Sequence, residues 1–445
     1  MATIKAFPAL RYNLKKIKEI SLVVTPPYDV ISTYQQSQFY RQGAHNLIRI
    51  ILGQEKKGDN QQNNKYTRAA AYLDKWTKEA ILIRDKAPAI YIYQQLFDFE
   101  GKKLSRLGFI GLLKLEPSGK GVVFPHEKTF CKPKEDRLSL LKSTRANLSP
   151  IFGLYSDSDS KIENLIKSRC LNKPLMDFEF EQVRNRLWPV NDPDFIISLE
   201  KLTRNKKIFI ADGHHRYEVA CLYDKLTGKS QKADKPRRAA EPRQLNSAYI
   251  MMYFSALESR GLKVLPTHRV INNLPDVKLC SLKQALADYF IIEDFNNYKD
   301  LSQRLTSAKT SEHFFGLYLG NKIFYLLKLK KTTKKTARHT RGTYKDLDVV
   351  ILHSLIFKKI LGIKEENSRD QQILYTREEN LAIQLVNSKK YQAAFFMNPP
   401  RPRQISAISE SLQKMPHKST YFYPKPLSGL VINKLDMESE AHVAF

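Results

Sequence analysis

The chain has 445 residues, 42% of them hydrophobic, which is enough for two or three globular domains and argues against a disordered protein. No apolar run reaches the ~20 residues that a membrane-spanning helix needs, and the first residues lack the apolar core of a signal peptide. We therefore expect a cytoplasmic protein with no membrane partner. The cysteines form no CxxC pair, which argues against a zinc ribbon or a redox dithiol.

The charge balance is strongly basic, with 74 Lys and Arg against 45 Asp and Glu and a formal net charge of +29. Such an excess raises nucleic acid as a partner. The densest basic tract, Lys328–Lys345, holds only a minor part of it, so the excess is spread along the chain. A dispersed excess favours a general attraction to polyanions over one docking patch, and nucleic-acid binding stays the alternative.

The N-terminal region predicts a short strand, ISLVV, that runs into Pro26 and Pro27. Each proline holds its predecessor extended, so this turn would aim Asp29 in one direction and make it a candidate catalytic acid or base. The alternative is an aspartate that only caps the turn. Apolar spacing predicts the elements that follow: a helix over 33–43, a strand over 45–50, a surface loop over 54–65 and a helix over 66–79.

A β-rich region follows, in which residues 89–99 and 106–116 alternate as two strands of a hairpin around Glu100 and Gly101. His126 and Glu127 come directly after a further strand and a proline, a common place for catalytic side chains. Arg137 precedes a helix predicted over 138–145. Mutual surface salt bridges are the alternative explanation of this cluster. Residues 165–181 are predicted as helical or irregular.

The centre of the chain reads KKIFIADGHHRYEVACLY, from Lys206 to Tyr223. Ile208–Ala211 predicts a buried strand, Asp212 and Gly213 break it, and a helix is expected to about Leu226. Unpaired amides and the helix dipole attract an anion at such a turn, and Arg216 can hold a phosphate with two parallel hydrogen bonds.

The other polar residues of this turn are His214, His215 and Asp212. Asp212 would repel a phosphate, so it fits better as a Mg²⁺ ligand, a general base or a group that orients a histidine. The alternative is a helix N-cap followed by solvated side chains.

Beyond this centre, residues 231–244 predict a flexible basic insertion, and an apolar strand follows. Thr267, His268 and Arg269 stand after another proline. The remainder predicts an α+β region with a hairpin around Gly320 and an amphipathic helix that ends at Gly362. Near its end, Lys418, Ser419 and Thr420 can hold a carboxylate or phosphate, whereas a packed aromatic and proline loop is the alternative.

The order of several segments along the chain resembles a bacterial and archaeal family catalogued as a domain of unknown function, number 1015. The resemblance is carried by PPYDVIS, VVFPHEKTFCKPKEDRLSLL, SPIFGLY, IADGHHRYEVA, LPTHR, LDVVILH and MPHKSTYFYPKPLSGL. The DGHHR element also resembles the phosphate-binding box of the ParB/sulfiredoxin superfamily and is similar to the box of free-serine kinases. This second resemblance implies a nucleotide-dependent activity with ATP or ADP, in which Gly213, His214, His215 and Arg216 hold phosphates and Asp212 holds Mg²⁺ or orients the acceptor.

We therefore expect an α+β fold with a mixed sheet. Residues 1–275 would form a ParB/sulfiredoxin-like phosphate-binding core, and residues 276–445 a smaller α+β domain that completes the site. The function expected is phosphorylation of a small hydroxylated metabolite such as serine. Its catalytic candidates are Asp29, His126, Glu127 and Asp212, and its substrate-binding candidates are Arg137, Thr267, His268, Arg269, Lys418, Ser419 and Thr420.

Two further hypotheses remain open from the residues. One is a ParB-like nucleotide switch or nucleic-acid-binding protein, which the net charge motivates, although no helix-turn-helix with a basic recognition helix is evident in the sequence. The other is a metal-dependent hydrolase that uses His126 and Glu127, although their spacing matches no familiar zinc site.

Overall fold

The computed structural model describes residues 1–116, 121–127, 129, 131–233, 247–309, 311–331, 344, 346–363, 372–411, 413–416 and 418–435. The insertion predicted at 231–244 lies outside the described residues from residue 234 onward. Most of the lysine-rich tract at 328–345 lies outside them too.

The described strands are distributed along the whole chain. They are β1 Ile4–Lys5, β2 Leu10–Tyr12, β3 Leu82–Arg84, β4 Ile90–Phe99, β5 Lys102–Lys114, β6 Val123–Phe124, β7 Ala146–Asn147, β8 Ile151–Tyr155, β9 Met176–Phe180, β10 Val183–Val190, β11 Ile208–Asp212, β12 Tyr249–Ala256, β13 Lys263–Leu265, β14 His268–Ile271, β15 Phe290–Phe295, β16 Phe314–Tyr318, β17 Phe324–Leu329, β18 Ile373–Thr376, β19 Ala393–Met397, β20 Tyr421–Tyr423 and β21 Asn433–Lys434.

The helices stand between these strands, and the predicted α+β class is confirmed. They are α1 Thr33–Gln42, α2 Ile48–Ile51, α3 Lys65–Lys78, α4 Cys131–Thr144, α5 Lys161–Lys167, α6 Pro193–Thr203, α7 His214–Ala233, α8 Asp276–Ala287, α9 Tyr298–Thr306, α10 Asp348–Ile351, α11 Glu379–Asn387 and α12 Pro402–Glu410, with a π-helix at Leu352–Ile360 and 3₁₀ turns at Ile20–Leu22 and Tyr28–Val30. In the described part of the chain, no helix combines the length and the apolar character that a membrane crossing requires.

The first compact unit comprises residues 1–125, 129–263 and 424–445. Nine of its described strands form one mixed sheet, in the order β6-β11-β8-β12-β5-β4-β10-β9 with β1 paired to β5. Most pairs are antiparallel, whereas β6 with β11 and β8 with β12 are parallel. Strand β11 therefore lies near one end of the sheet, and its apolar residues Ile208 and Ile210 enter the core below α7.

The second unit comprises residues 126–128 and 264–423. Its sheet is antiparallel, in the order β15-β17-β16-β19-β14-β18. Alternate residues of β16 enter two different cores: Phe315 and Leu317 pack on one face, and Phe314 and Tyr318 on the other. This period of two is what a strand buried on both faces requires. The sheet is therefore covered on both sides.

Two elements with strong local patterns form as predicted. Strands β4 and β5 pair antiparallel as the expected hairpin, and Glu100 and Gly101 turn the chain with φ of 50° and 72°. The amphipathic helix before Gly362 also forms, first as α10 and then as the π-helix, and Gly362 ends it with φ of 70°. Both predictions are confirmed.

Four other predictions are wrong in whole or in part. Arg137 was expected before a helix over 138–145 but lies inside α4. Residues 45–50 were expected as a strand, but the chain forms α2, and the buried Asn46 carboxamide accepts the Ile48 N–H at 2.9 Å, a local bond that competes with strand pairing. The segment ISLVV is not a strand either and forms the 3₁₀ turn Ile20–Leu22. Residues 165–181 contain the end of α5 and the strand β9, which pairs with β10.

Candidate functional site

The turn between β11 and α7 has the predicted strand–turn–helix form. Every residue of β11 is buried, and α7 begins at His214. Gly213 has φ of 93°, a conformation that other residues rarely adopt. A Cβ at Gly213 would also stand 2.9 Å from Nη2 of Arg216. Two features therefore favour glycine at this position: the positive φ of the backbone and the close approach of the Arg216 guanidinium.

Asp212, at the end of β11, is held by two cations. Arg216 donates from Nη2 to Oδ2 at 2.7 Å, and Lys425 donates from Nζ to Oδ1. The side chains of Asp212 and Lys425 are only 6% and 8% exposed. Burial on its own would raise the pKa of Asp212, but Lys425 and Arg216 outweigh it and the pKa is lowered. Asp212 is therefore ionised in the folded protein.

Asp29 is the second carboxylate of this region. It lies on the 3₁₀ turn Tyr28–Val30, which the extended Pro27 precedes. The residue as a whole is exposed, but protein atoms crowd its carboxylate, and the loss of hydration raises its pKa. The negative charge of Asp212 raises this pKa further, whereas Lys425 and Arg216 counteract it. Neighbouring carboxylates thus have pKa values that are shifted in opposite directions.

A cavity of about 60 Å³ adjoins the turn within the first unit. Its wall is largely apolar and includes Tyr28, Arg137 and Arg216. The guanidinium carbon of Arg137 lies 3.9 Å from the Tyr28 ring centroid. Since one water needs ~10–15 Å³ on this measure, the cavity has room for several waters or a group of a few heavy atoms.

The two arginines of the wall are positioned by the surrounding backbone. Arg137 donates to the Ile51 carbonyl at 2.7 Å and to Asp136, and Arg216 donates to the Pro150 carbonyl at 2.7 Å. The buried Nε–H of Arg216 has no acceptor among the described residues. Burial also raises the pKa of Tyr28 to about 12, so its phenol stays neutral. The wall therefore presents a hydrogen-bond donor on a positively charged group.

The predicted phosphate-binding histidines lie on the first turn of α7. His214 is buried, and its charge contributes to the lowered pKa of Asp212, whereas His215 is half-buried. The structure thus brings Asp29, Arg137, Asp212, Gly213 and His214–Arg216 together within the first unit, with Asp29 close enough to Asp212 for their charges to interact. Their roles remain predictions.

The donor set for a metal ion is small. Among the residues that the structure describes, no group of three or more His, Cys, Asp and Glu side chains is arranged to hold one. Both oxygens of Asp212 already face cations. Mg²⁺ in phosphoryl-transfer sites commonly uses one or two carboxylates together with substrate phosphates. Each oxygen of Asp212, the metal ligand predicted from the sequence, keeps a further lone pair, and Mg²⁺ binding stays a prediction.

A second group of predicted residues lies in the second unit. His126 Nε2 is 3.1 Å from Thr420 Oγ1, and Glu127 Oε1 accepts the Lys418 N–H at 3.0 Å. The Met415 N–H donates to the His126 carbonyl at 2.7 Å. The short segment at His126 is therefore fixed against the chain around residues 415–420.

Arg269 joins this second group, and His268 does not. Arg269 donates to the carbonyls of Thr267 and Lys418, whereas His268 lies 3.8 Å from Glu379. The two residues are successive in β14, so their side chains point to opposite faces of the sheet. The hydroxyl of Ser419 donates to the Pro416 carbonyl.

Two residues beside Asp212 and Asp29 in the first unit, Lys425 and Tyr28, were not predicted from the sequence. Lys425 stands between Pro424 and Pro426, and a lone cation fixed between two prolines is the local signal that was available. Its partner Asp212 is more than two hundred positions away in the chain, so no local pattern identifies the pair. Tyr28 precedes Asp29 in the rigid turn, and only the structure shows that it lies against Arg137.

Comparison with known proteins places the chain in a family. A family model described as "Protein of unknown function (DUF1015)" matches residues 4–350, so the chain belongs to this family. The family resemblance found in the sequence is confirmed. No curated protein matches the chain.

Several solved structures are similar at low identity. A conserved hypothetical protein from Pyrococcus furiosus has 11% identity and a TM-score of 0.33, over 70% of this chain and 92% of its own. A free serine kinase in complex with AMP has 10% identity and a TM-score of 0.34, over 70% of this chain and 88% of its own. SbnI with a C-terminal truncation, from Staphylococcus aureus, has 12% identity and a TM-score of 0.34, over 73% of this chain and 87% of its own. Similarities at these TM-scores carry no argument about function, which rests on the side chains of the site.

Proposed function

We propose that this member of the DUF1015 family is a phosphotransferase that uses ATP or ADP and phosphorylates a hydroxyl group of a small metabolite such as serine. The observation that carries the proposal is the carboxylate pair Asp29 and Asp212, whose pKa values are shifted in opposite directions beside Arg216 and Lys425. Carboxylates whose environments separate their pKa values in this way are typical of acid–base sites.

In this proposal Asp29 is the general base. The oxygen of the acceptor hydroxyl forms the new bond to phosphorus as the bond to the leaving nucleotide oxygen breaks, and the hydroxyl proton passes to Asp29. A raised pKa suits this role, because it makes the carboxylate a stronger base. The exposed position of Asp29 leaves it accessible to a substrate.

Asp212 acts through its cations. It fixes Arg216 beside the cavity and Lys425 beside Asp29, and these cations would stabilise the negative charge of the transferred group. Gly213, His214, His215 and Arg216 are proposed to hold nucleotide phosphates, and Arg137 adds positive charge at the cavity wall. Mg²⁺, with Asp212 as its proposed protein ligand, would supply further charge neutralisation when bound.

The acceptor-binding side chains predicted from the sequence remain part of the proposal. His126 and Glu127 organise the loop that carries Lys418 and Thr420, as their hydrogen bonds support. The other members of this proposed set are Thr267, His268, Arg269 and Ser419.

The test combines binding with turnover. Calorimetry with AMP, ADP and ATP measures nucleotide binding, and ³¹P NMR with a panel of hydroxylated metabolites, serine among them, detects phosphoryl transfer. We expect binding in the wild type, and transfer that Asp29→Asn abolishes. The control is Asp177→Asn, which removes an aspartate charge on β9 near the opposite end of the sheet, where Asp177 pairs with Arg184 and Arg186. Absence of nucleotide binding, or equal loss in both variants, would contradict the proposal.

A further inference from the structure

The second unit buries a cation of its own. Arg269, on β14, is 1% exposed, and its guanidinium carbon lies 5.4 Å from the Tyr375 ring centroid. Its nitrogens donate to the carbonyls of Thr267 and Lys418 and contact Met397 Sδ. These partners are neutral, and no carboxylate pairs with Arg269 among the residues that the structure describes. Burying a charge without a counter-ion is costly.

The donors of Arg269 are only partly used. The buried Nε–H has no acceptor in the described part of the chain, and Nη2 donates once, to the Lys418 carbonyl at 3.3 Å. Nε and Nη2 lie on the same edge of a guanidinium, and this edge matches two oxygens of a carboxylate or phosphate. An unsatisfied donor on this edge therefore has the chemistry of an oxyanion receptor.

Lys418 brings a second cation to the same place. Its ammonium lies 5.6 Å from the centroid of the Tyr375 ring that Arg269 also contacts. The Lys418 backbone has φ of 53°, which is uncommon for a residue with a side chain. In this conformation its N–H donates to Glu127 and its carbonyl accepts from Arg269. The strain is thus maintained by contacts on both sides of the residue, as at many binding sites.

From these observations we propose that the second unit contains an oxyanion-binding site centred on Arg269, with Lys418 as its exposed cation. The ligand is a small group with at least two anionic oxygens, that is, a carboxylate or a phosphoryl group. Such a ligand supplies the missing counter-charge and accepts from Nε–H. Arg269 and Lys418 also belong to the proposed acceptor-binding set, and the inference names the chemistry that this set would bind. Oxyanion binding within the second unit itself requires no phosphoryl transfer.

The test uses hydrogen exchange of the full chain with inorganic phosphate, with acetate, and with chloride at equal ionic strength. We expect phosphate or acetate, but not chloride, to slow exchange in peptides covering residues 264–271 and 418–423. Protection by phosphate alone assigns a phosphoryl ligand, and protection by acetate assigns a carboxylate. Arg269→Met should weaken binding about tenfold or more, because charge-assisted hydrogen bonds are lost.

Two further variants keep the test decisive. Lys418→Gln changes an exposed side chain, so it leaves folding intact, and it should weaken the same protection. Arg377→Gln is the matched control, since Arg377 is an exposed arginine stacked on Tyr421 in the same unit. No protection by either anion, or equal weakening by Arg377→Gln and Lys418→Gln, would overturn the proposal. Asp29→Asn, in the first unit, should leave this protection unchanged. A failure of the oxyanion-site proposal can therefore be distinguished from a failure of the phosphotransferase proposal.

Discussion

At the scale of single residues, the site proposed for the first unit depends on two acids in different environments. Asp212 is paired with two cations and is ionised, whereas Asp29 has a raised pKa and forms no ion pair among the described residues. A carboxylate held between two cations has a lowered pKa and is a poor base. A carboxylate whose pKa is raised by loss of hydration is a better base.

Asp29→Asn should lower the turnover of phosphoryl transfer by about 10²–10⁴-fold and leave nucleotide affinity nearly unchanged, because it removes proton acceptance only. The proposed role requires Asp29 to be ionised, and its pKa is raised, so the rate of the wild type should increase with pH in a step above the ordinary aspartate value of about 3.9. The pH profile of kcat/KM measures this step. If Asp29→Asn kept the same step on the acidic side of the pH profile, the proposed role of Asp29 as general base would be contradicted.

Lys425→Met should destabilise the protein by about 3–5 kcal/mol, because it leaves the buried Asp212 with one cation fewer. The lowered pKa of Asp212 stabilises the fold above the pKa of the unfolded chain, and this contribution is lost as pH falls through the folded pKa. Urea unfolding at several pH values should therefore show a smaller acid-side loss in the variant.

The control for this prediction is Arg184→Gln, which breaks an exposed pair with Asp177 and should cost about 0–1 kcal/mol. Adding Asp212→Asn to Lys425→Met should recover part of the lost stability, since the uncompensated charge is then absent. Equal destabilisation by Arg184→Gln and Lys425→Met would contradict the buried-pair argument.

At the scale of elements, the turn from β11 to α7 determines where Arg216 lies. Gly213→Ala should destabilise the protein by about 1–3 kcal/mol, because φ of 93° is strained for alanine and the new Cβ displaces the guanidinium. Gly228→Ala is the matched control, since Gly228 lies in the same helix and its Cβ would meet nothing within 4 Å. That variant should be stabilised by about 0.5–1 kcal/mol. Thermal unfolding compares the two.

The elements also show what the sequence can and cannot predict. The hairpin β4–β5 and the turn after β11 were predictable, because period-two alternation and an Asp-Gly break are local signals. Residues 45–50 are rich in β-branched and apolar side chains as well, but they form α2, and the buried Asn46 accepts the Ile48 N–H there. Asp29 and Asp212 could each be identified from the turn in which they stand. Lys425 could not, because it is far from Asp212 in the sequence and contacts it only in the folded chain.

At the scale of the whole molecule, the net charge of +29 allows general attraction to nucleic acid. We expect weak retention of DNA in a gel-shift assay, lost steeply as salt rises and independent of DNA sequence, because the described basic side chains near the site are engaged by Asp212, Asp136 and backbone carbonyls. Tight binding that depends on sequence and survives physiological salt would favour the nucleic-acid alternative.

The first unit also takes its last strand from the end of the described chain. Strand β21 pairs with β7, whose residues Ala146 and Asn147 line the cavity, and Ser428 contacts Ser149 beside it. A chain ending at Tyr423 would lose β21 and the buried Leu430, Val431 and Ile432. We expect this shortened chain to expose apolar surface and bind no nucleotide, as dye binding and calorimetry would show. A shortened chain that binds nucleotide normally would contradict this assembly.

This arrangement affects the order of events during translation. Asp29 and Asp212 are both translated before Lys425, which follows Asp212 by more than two hundred residues. Until then the nascent chain carries its acids without one of their cations. We therefore expect a nascent chain that has not reached Lys425 to hold Asp212 with one cation, Arg216, and with a less strongly lowered pKa.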